Sequence, residues 1–364
     1  MNLAPRSVVV VLGTRPEIVK LAEVARLLGP AARLVHTGQH YDWNLARSFL
    51  EELSLPAPEL QLEVGGTSRG QQIGEATRLL DRHFQVDRPR AVLVQGDTNA
   101  TLAAALAANA QEIPLVHIEA GLRSFDRRMP EEHNRVLTDH LADLCCAPTE
   151  VSRANLLAEG ISEDRVEVTG NTVVEAVRAL LPSPEQRRSE LGDLGLQPGG
   201  FVLATFHRPE NVDDRDRLAA ILEELAGLAL PVLLPIHPRT AARVEDFGLE
   251  DRLALLRAIE PLGYRRFLAL AAEGAFLVSD SGGLQEEATV LKRPVIVVRN
   301  STERPEVLGT FCELVQPGPD IGKVAQEWSV DLEELHRRLA QLPSPYGDGT
   351  ASRRSVEALG RLLA

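Results

Sequence analysis

Short apolar runs alternate with longer amphipathic stretches along the whole chain. Five runs in the first half have the length and the Val-rich composition of buried strands: SVVVVLG (7–13), ARLVHTG (32–38), PRAVLVQG (89–96), PLVHIEA (114–120) and RVEVTGN (165–171). Helical patterns such as PEIVKLAEVARLLG (16–29) and TNATLAAALAANAQ (98–111) separate them. Five further runs follow in the second half: GFVLATFH (200–207), LPVLLPIH (230–237), LALLRAI (253–259), GAFLVSD (274–280) and RPVIVVR (293–299).

Continuously apolar strands that alternate with helices predict parallel sheets with both faces covered. The two series therefore predict an α/β fold of two Rossmann-like domains, with parallel sheets that face a central cleft. The segment LLPSPEQRRSELGDLGLQPGG (180–200) lies between the series and carries the Pro, Gly and charge expected near a domain boundary.

Composition narrows the functional classes. A length of 364 residues suggests about two domains. A net charge of −13 argues against nucleic acid as the main partner. No apolar run approaches the roughly 18 residues of a membrane span, and no signal peptide is recognisable, so we predict no membrane insertion. Three cysteines, two of them adjacent, predict buried free thiols and a reducing cytoplasm rather than a disulfide framework.

Polar motifs follow the predicted strands, at the edge where parallel α/β sheets bind ligands. One such motif alone would be read as an ordinary turn, because Gly, Asp, Ser and Thr are common in turns and helix caps. Seven motifs at the same kind of edge favour a shared site: GTRPE, TGQH, QGDT, HIEAG, TFHRPEN, PIHPRT and SDSGG.

The motif SDSGG contains a serine with two alternative readings. A serine protease needs His and Asp partners in a different structural setting, and the G-x-S-x-G elbow of α/β-hydrolases is absent. The motif instead follows an apolar strand and precedes the helical stretch LQEEATVL. Backbone N–H groups of Ser281, Gly282 and Gly283 would then point outward at a helix N-terminus. We interpret Ser281 as a phosphate ligand, not a nucleophile.

The motif GTRPE predicts a second anion contact. Gly13 permits a tight turn and Pro16 suits the first helical position, which places Arg15 at a helix N-terminus. A guanidinium there suits a phosphate, although an ion pair with a nearby carboxylate is an equally good reading. Lys20 lies one turn further along and could be a solvated residue.

Motifs for cofactors and metals are absent or incomplete. No G-x-G-x-x-G follows the first strand of either series, so a dinucleotide cofactor is unsupported. GGTSRGQQ (65–72) has the glycine spacing of a P-loop but lacks its Lys and Ser/Thr. His207 and Glu210 are separated by Pro209, and no second His/Cys cluster has ligand spacing. We predict neither a cofactor nor a metal.

Carboxylates carry the predicted chemistry. Asp97 ends one strand and Glu119 ends the next, so both should reach one crevice. Glu131 and Glu132 open a helix behind Pro130, where an acid is commonly a helix cap, above all Glu132. Carboxylates that face a bound phosphate repel it, and proton transfer is the reason to place them there.

Together these motifs resemble the non-hydrolysing UDP-N-acetylglucosamine 2-epimerases. The likeness runs in one order from about residue 10 to the C-terminal helix. The motifs that carry it are GTRPEIVKLAEV, TGQH, QGDTNATLA, HIEAGLRSFDRRMPEEHNR, GNTVVEA, TFHRPENV, SDSGGLQEEA, STERPE and SPYGDG. One departure is the continuation of TGQH as YDWN, in a segment that helps to form an allosteric substrate site in bacterial relatives.

The resemblance implies a GT-B-like fold with a domain for each task. Residues 1–172 would carry the catalytic carboxylates, residues 173–345 would bind UDP, and a C-terminal helix in 346–364 would cross back to the first domain. The family implies a homodimer, a UDP-sugar substrate and a place in polysaccharide biosynthesis.

The resemblance also implies a mechanism. UDP is eliminated across C1–C2 to give 2-acetamidoglucal, and it adds back after a proton reaches C2 from the other face. Asp97, Glu119 and Glu131 would be the acid–base set, with Lys20 supporting the site. Residues implied to hold the phosphates are Arg15, His207, Ser281 and Gly283. Glu287 would bind the ribose, Arg304 the UDP moiety, and Phe267 would border the uracil.

Three alternatives remain open from the sequence. A hydrolysing epimerase that releases UDP and N-acetylmannosamine shares most of these motifs. A retaining GT-B glycosyltransferase would bind UDP through the same contacts but would also need a cleft for an acceptor. A catalytically silent UDP-sugar sensor would have no need of Asp97, Glu119 and Glu131 beside a diphosphate.

Overall fold

A computed structural model describes residues 3–39 and 49–364 of the chain. The chain divides into two compact units, Met1–Ala176 with Tyr346–Ala364, and Val177–Pro345. We call them unit 1 and unit 2. The YDWN segment lies outside the described residues. Within those residues, no helix has the length and apolar character needed to cross a membrane.

Unit 1 is built on a parallel sheet of seven strands in the order β3-β2-β1-β4-β5-β6-β7. The strands are β1 Val8–Leu12, β2 Ala32–His36, β3 Leu60–Gln61, β4 Ala91–Gln95, β5 Leu115–Ile118, β6 Leu144–Ala147 and β7 Val166–Val168. The helices described in this part of the chain are Arg15–Leu28, Arg69–Val86, Asn99–Ala110, Pro130–Leu141, Glu150–Ala158 and Ala351–Leu362, with 3₁₀ turns at Gly29–Ala31 and Glu163–Arg165. Helix Val173–Leu180 contains the division between the units.

Unit 2 is built on a parallel sheet of six strands in the order β10-β9-β8-β11-β12-β13. The strands are β8 Val202–Thr205, β9 Val232–Pro235, β10 Arg257–Ile259, β11 Phe276–Ser279, β12 Val295–Val298 and β13 Cys312–Val315. Its helices are Pro184–Asp193, Pro209–Val212, Arg215–Ala226, Pro238–Phe247, Glu250–Leu253, Tyr264–Glu273, Gly282–Leu291, Asp320–Val330 and Leu332–Gln341, with a 3₁₀ turn at Pro305–Val307.

The prediction of two Rossmann-like α/β parts is confirmed. Both sheets reverse their strand order beside the first strand, between β1 and β4 in unit 1 and between β8 and β11 in unit 2. Ligands bind at the carboxyl ends of the strands next to such a reversal. The fold therefore directs attention to the turns that follow β1, β4, β5, β8 and β11.

Most predicted strands are present, and the errors concern short ones. Strands β3, β6 and β13 were not predicted, because they are two to four residues long and carry polar or Cys residues. The run predicted as a strand over 253–259 is wrong in its first half. Helix Glu250–Leu253 ends there, and only Arg257–Ile259 is a strand. The three cysteines are buried free thiols, as predicted.

Residues 346–364 complete unit 1 from the far end of the chain. The backbone N–H of Asn171 donates to the Tyr346 carbonyl at 2.9 Å. The backbone N–H of Ser352 donates to Glu175 Oε1 at 2.9 Å, and Arg90 donates to the Leu363 carbonyl at 2.7 Å. The last helix thus belongs to the same compact unit as the first strands.

Helix Asn99–Ala110 is largely buried within unit 1. It is apolar on all sides, as expected of a helix buried within a fold. Ala103, Ala104 and Ala105 have no exposed surface. A Cβ added to Gly13 would lie 2.4 Å from the Cβ of Ala100, so even a methyl group is excluded beside this helix.

We expect Ala104→Leu to lower the free energy of unfolding by about 2 kcal/mol, because the added carbons have no space in this core. Ala110→Leu is the matched control, since Ala110 is exposed at the end of the same helix. Urea unfolding of both variants measures the difference. Equal stability of the two variants would contradict the tight packing described here.

Candidate active site

Asp97 and Glu119 of unit 1 follow neighbouring strands. Asp97 comes two residues after β4 and Glu119 directly after β5. These strands are parallel partners, with Gln95 opposite Ile118. The structure therefore brings the two carboxylates to the same edge of one sheet.

Glu119 forms a buried ion pair with Lys20. Lys20 Nζ donates to Glu119 Oε2 at 2.6 Å, and the side chains are only 9% and 5% exposed. The alternative reading of Lys20 as a solvated residue is therefore wrong. Asn171 Nδ2 donates to the same Glu119 oxygen at 3.1 Å. Two donors from two further elements thus fix one carboxylate.

The backbone of Glu119 is in a strained conformation. Its φ is +68°, in the left-handed region that residues with a Cβ rarely adopt. Such strain costs about 1–3 kcal/mol and persists only where the surroundings hold it, commonly at functional sites. The contacts of Lys20 and Asn171 supply part of that support.

Asn171 was missed as a site residue, although its motif GNTVVEA was noted. Its backbone N–H holds Tyr346, and its Oδ1 accepts from the backbone N–H of Val173 at 3.0 Å. The signal in the sequence was an Asn directly after a strand-end glycine, a position that an ordinary turn would also favour.

Asp97 lies in a more open environment than Glu119. Its side chain is 30% exposed, and Arg135 Nε lies 3.4 Å from Oδ2. The Asp97 carbonyl accepts from Asn134 Nδ2 at 2.8 Å. Helix Pro130–Leu141 therefore holds the Asp97 turn through two consecutive residues.

Glu131 and Glu132 start the same helix but differ in environment. Glu132 is buried and accepts from the backbone N–H groups of Ser124 and Phe125 at 3.0 and 2.9 Å, and from Arg135 at 2.9 Å. Its role is to hold the preceding loop, which refines the predicted role as a helix cap. Glu131 is half-buried in the first turn.

Arg15 begins its helix, so Pro16 occupies the second position instead of the first. The Arg15 guanidinium lies 4.7 Å from the centroid of the Phe49 ring. Partial burial lowers the pKa of this guanidinium. Within residues 3–39 and 49–364, no carboxylate is within ion-pair distance of Arg15, which disfavours the salt-bridge reading of this residue.

Glu17, the last residue of GTRPE, was missed as an ionisable group of interest. It is buried at 2% exposure, and its Oε2 accepts from the Gly13 N–H at 3.0 Å and the Thr14 hydroxyl at 2.8 Å. Its Oε1 accepts from the Thr98 hydroxyl at 2.9 Å. Burial raises its pKa from 4.5 to about 7, although these hydrogen bonds lower it. Glu17 thus joins the turns after β1 and β4.

Asp280 organises the strand ends of unit 2. It is completely buried after β11, and its carboxylate accepts from the backbone N–H groups of His207 and Arg208 at 3.1 and 3.0 Å. Asn211 Nδ2 donates to it at 3.2 Å. Asp280 therefore joins the turn after β8 to its own turn. The sequence offered only its place in SDSGG as a signal.

His207 lies between this carboxylate and several cations. Its Nδ1 is 3.3 Å from Asp280 Oδ1, and its side chain is 39% exposed. Loss of solvent around the ring lowers its pKa, as do the nearby guanidinium groups led by Arg208, although the Asp280 charge raises it. The ring of His237 lies beside it, with centroids 5.6 Å apart.

The SDSGG turn opens a helix, as predicted. Ser281 is the N-cap of helix Gly282–Leu291, and its hydroxyl accepts from the Leu284 N–H at 3.4 Å. A Cβ at Gly282 would lie 2.6 Å from Glu303 Oε1, so a larger residue there would have to displace the Glu303 side chain. A Cβ at Gly283 would meet nothing within 4 Å. The helix N-terminus is therefore tightly packed at Gly282 and open at Gly283.

Arg304 lies behind this helix N-terminus. Its Nε donates to Glu286 Oε1 at 2.8 Å, and its NH1 pairs with Glu303. Glu303 also pairs with the buried Arg299 at 2.9 Å. Burial lowers the pKa of Arg299, although Glu303 raises it. The guanidinium groups are thus held among carboxylates.

Glu287 is held by an aromatic hydroxyl from another helix. Tyr264 donates to Glu287 Oε1 at 2.8 Å, and burial together with that carboxylate raises the pKa of Tyr264 well above its ordinary value. Phe267 is half-buried on the helix of Tyr264. Phe267 is a predicted site residue, whereas Tyr264, one turn earlier on the same helix, was not predicted.

The predicted residues therefore collect in two places. In unit 1 the structure brings Lys20, Glu119 and Asn171 into contact, with Asp97 after the adjacent strand. In unit 2 it brings His207 to Asp280, the residue before Ser281. Among the side chains that the structure describes, no group of three His, Cys, Asp or Glu residues could hold a metal ion.

Comparisons with known proteins point to one family. The sequence model of the family described as UDP-N-acetylglucosamine 2-epimerase matches residues 23–360. The UDP-N-acetylglucosamine 2-epimerase of Methanocaldococcus jannaschii is 39% identical, over 96% of this chain and 98% of that protein. The UDP-2,3-diacetamido-2,3-dideoxy-D-glucuronate 2-epimerase of Pseudomonas aeruginosa is 37% identical, over 98% of this chain and 99% of that protein.

A solved structure agrees with the sequence relatives. The crystal structure of the M. jannaschii UDP-GlcNAc 2-epimerase in complex with UDP-GlcNAc and UDP superposes with a TM-score of 0.87 and 38% sequence identity. The match covers 97% of this chain and 99% of that chain. The similarity therefore extends over the full set of motifs at the strand ends.

We expect Lys20→Met to lower the free energy of unfolding by about 3 kcal/mol, because it removes the ammonium group from a buried carboxylate. Lys20→Met with Glu119→Gln should be more stable than the sum of the single changes predicts, since the double variant buries no charge at this pair. Urea unfolding of the four proteins gives the coupling free energy. Strict additivity would contradict a direct ion pair.

The raised pKa of Glu17 predicts a pH dependence of stability. Between pH 4.5 and about 7 the folded state holds a proton that the unfolded state lacks, so the free energy of unfolding falls as pH rises through this window. The fall attributable to Glu17 should be about 3 kcal/mol. Glu17→Gln carries no such proton, so the wild-type minus variant difference should fall by that amount between pH 4.5 and 7.5. A difference that does not change with pH would contradict the raised pKa.

Proposed function

The chain belongs to the UDP-N-acetylglucosamine 2-epimerase family, and from this premise we propose that it interconverts UDP-N-acetylglucosamine and UDP-N-acetylmannosamine without hydrolysing them. The observation that carries the proposal is the placement of Asp97 and Glu119 at the ends of paired strands, with Glu119 fixed by Lys20. Such an arrangement suits a reaction in which a proton leaves and returns at one carbon.

The chemistry explains why carboxylates are needed beside a diphosphate. The C2 hydrogen of the sugar is not adjacent to a carbonyl, so direct removal is too slow. Instead the C2–H and C1–O bonds break, a C1=C2 double bond forms, and UDP leaves with the electron pair. A proton then adds to C2 from the opposite face, and a UDP oxygen attacks C1. The atoms balance without water, oxidant or cofactor.

Unit 1 supplies the acid–base groups in this proposal. The Lys20 ammonium fixes the position of the Glu119 carboxylate, which suits a group that accepts a proton from one carbon. Asp97, the second proposed acid–base group, is more exposed than Glu119 and lies beside Arg135. Glu131 is the third member of the set.

Unit 2 supplies the nucleotide contacts. The N-terminus of helix Gly282–Leu291, open at Gly283, presents backbone N–H groups to a diphosphate. His207 is the proposed phosphate partner from the turn after β8 of this unit, and Arg15 of unit 1 is a further proposed phosphate partner. Glu287 would bind the ribose, with Arg304 on the UDP moiety and Phe267 beside the uracil. These contacts stabilise the charge that develops on the leaving diphosphate.

We further propose a homodimer that works in the cytoplasm. The family resemblance supports the dimer. Three buried free thiols support a reducing compartment.

The first test is proton NMR of UDP-N-acetylglucosamine with the purified protein in D2O. We expect UDP-N-acetylmannosamine, deuterium at C2 of both epimers, and no free UDP. Free deuterated N-acetylmannosamine with UDP would instead establish the hydrolysing reaction. No exchange with this sugar but exchange with the UDP-diacetamido-glucuronate would move the substrate to that of the P. aeruginosa relative.

Asp97→Asn is the matched variant for this test. It should lower kcat about 1,000-fold, as expected for loss of a general acid–base group, and leave UDP affinity by calorimetry within about threefold. Glu150→Gln, at a side chain that is 76% exposed, serves as a control with wild-type turnover. Wild-type turnover in Asp97→Asn would overturn the proposed role of Asp97.

A further inference from the structure

A completely buried histidine lies beneath the two proposed acid–base turns. His117 is in β5, two residues before Glu119, and has no exposed surface. Its Nδ1 lies 2.6 Å from Asp139 Oδ1, and its Nε2 lies 2.8 Å from the Gly96 carbonyl oxygen. The Gly96 carbonyl can only accept a hydrogen bond, so the ring donates to it from Nε2, while Nδ1 pairs with the Asp139 carboxylate.

Asp139 holds the second turn with its other oxygen. Asp139 Oδ2 accepts from the Gly121 backbone N–H at 3.1 Å and from Arg123 at 2.8 Å. Arg123 in turn makes a bidentate pair with Glu159 at 2.7 Å for both bonds. Burial alone raises the pKa of Asp139, but the charges and hydrogen bonds of His117 and Arg123 lower it below its ordinary value. Asp139 is therefore an ionised acceptor.

These hydrogen bonds act on the backbone beside each carboxylate. Gly96 directly precedes Asp97 and has a φ of +74°. Its N–H donates to the Ile118 carbonyl at 3.1 Å, while His117 binds its carbonyl. Gly121 follows Glu119 by two residues, and a Cβ there would lie 2.3 Å from the Ser152 carbonyl oxygen. The buried pair of His117 and Asp139 therefore fixes the backbone of both turns through hydrogen bonds to Gly96 and Gly121.

Glu119 needs this support because its own conformation is strained. Its left-handed φ of +68° is unfavourable for a residue with a Cβ. The Gly121 N–H bond to Asp139 holds the chain just beyond the strained residue, and the His117 ring holds the neighbouring turn at Gly96.

We propose that His117, held by Asp139, is a positioning residue that sets the distance between the Asp97 and Glu119 carboxylates and C2 of the substrate. The proposal rests on the function proposed above. His117 touches no substrate and exchanges no proton with it. It acts through the Gly96 carbonyl and, by way of Asp139, through the Gly121 N–H. A displacement of about 1 Å at a reacting group can cost about 100-fold in rate.

Two substitutions separate the two hydrogen bonds of the ring. His117→Asn places an amide nitrogen near the position of Nδ1, so it keeps a donor for Asp139 and loses the donor for Gly96. His117→Gln reaches the position of Nε2, so it keeps the donor for Gly96. Both remove the aromatic ring, and each removes one of its two hydrogen bonds.

The experiment measures kcat and KM for C2 deuterium exchange into UDP-N-acetylglucosamine. We expect His117→Asn to lower kcat about 100-fold and His117→Gln to lower it at least fivefold less, with KM within about threefold of wild type for both. Arg33→Met is the control for destabilisation. Arg33 is a buried residue of β2 that pairs with Glu59 and Asp87, away from the Gly96 and Gly121 turns. It should lower the Tm while keeping kcat within about twofold.

The outcomes distinguish this proposal from the proposed function. Absence of exchange in the wild type would overturn the function itself. With an active wild type, equal kcat for the two His117 variants would overturn the positioning role, as would a loss of kcat in Arg33→Met equal to that in His117→Asn. Should His117→Asn fail to fold, Asp139→Asn provides the second test. It keeps an oxygen for the Gly121 N–H but not the charge that orients the ring, and it should lower kcat about tenfold at unchanged KM. Wild-type kcat in Asp139→Asn would then overturn the proposal.

Discussion

A carboxylate that is buried away from water needs a partner of opposite charge close by. For Glu119 of unit 1 that partner is the Lys20 ammonium, 2.6 Å away in a site closed to solvent. Taking two charges out of water is costly, and it is tolerated here because the pair is short and Asn171 adds a further donor. The strained backbone of Glu119 is supported on one side by this ion pair and on the other by the Gly121 turn, two residues later.

In unit 2 the arrangement is reversed, because carboxylates fix the positions of buried guanidinium groups. Arg304 pairs with Glu286 and Glu303, and Arg299 also pairs with Glu303. A guanidinium held by carboxylates keeps a fixed orientation without a bound anion. The buried Asp280 carries out the same task for the backbone of His207 and Arg208. Positive groups and helix N–H groups are thus pre-positioned, which suits an anionic ligand whose charge rises during a reaction.

The sequence predicted the parts of the fold that depend on long apolar runs. Strands such as β1 and β4 have five consecutive buried residues, and their pattern has one interpretation. Strand β6, LCCA, follows a helix with little to mark the change, and strand β3 is two residues long, so local pattern could not find them. The same limit applies to the site. Strand-end motifs pointed to Asp97 and Glu119, but the role of Asn171 depends on a contact across 52 positions in the chain. In the sequence His117 is only one residue of an apolar strand, and its role depends on Asp139 and the Gly96 carbonyl, which the fold brings to its ring.

Residues 346–364 belong to unit 1, although all of unit 2 precedes them in the chain. This has a consequence for the order of synthesis on the ribosome. The seven strands of unit 1 emerge early, but the carbonyl of Tyr346 that Asn171 binds, and the helix that Glu175 caps through Ser352, are made only after all of unit 2. Asn171 also holds Glu119, so the surroundings of that carboxylate are complete only once residues 346–364 have emerged. A nascent chain that stops within unit 2 therefore lacks part of the support of Glu119.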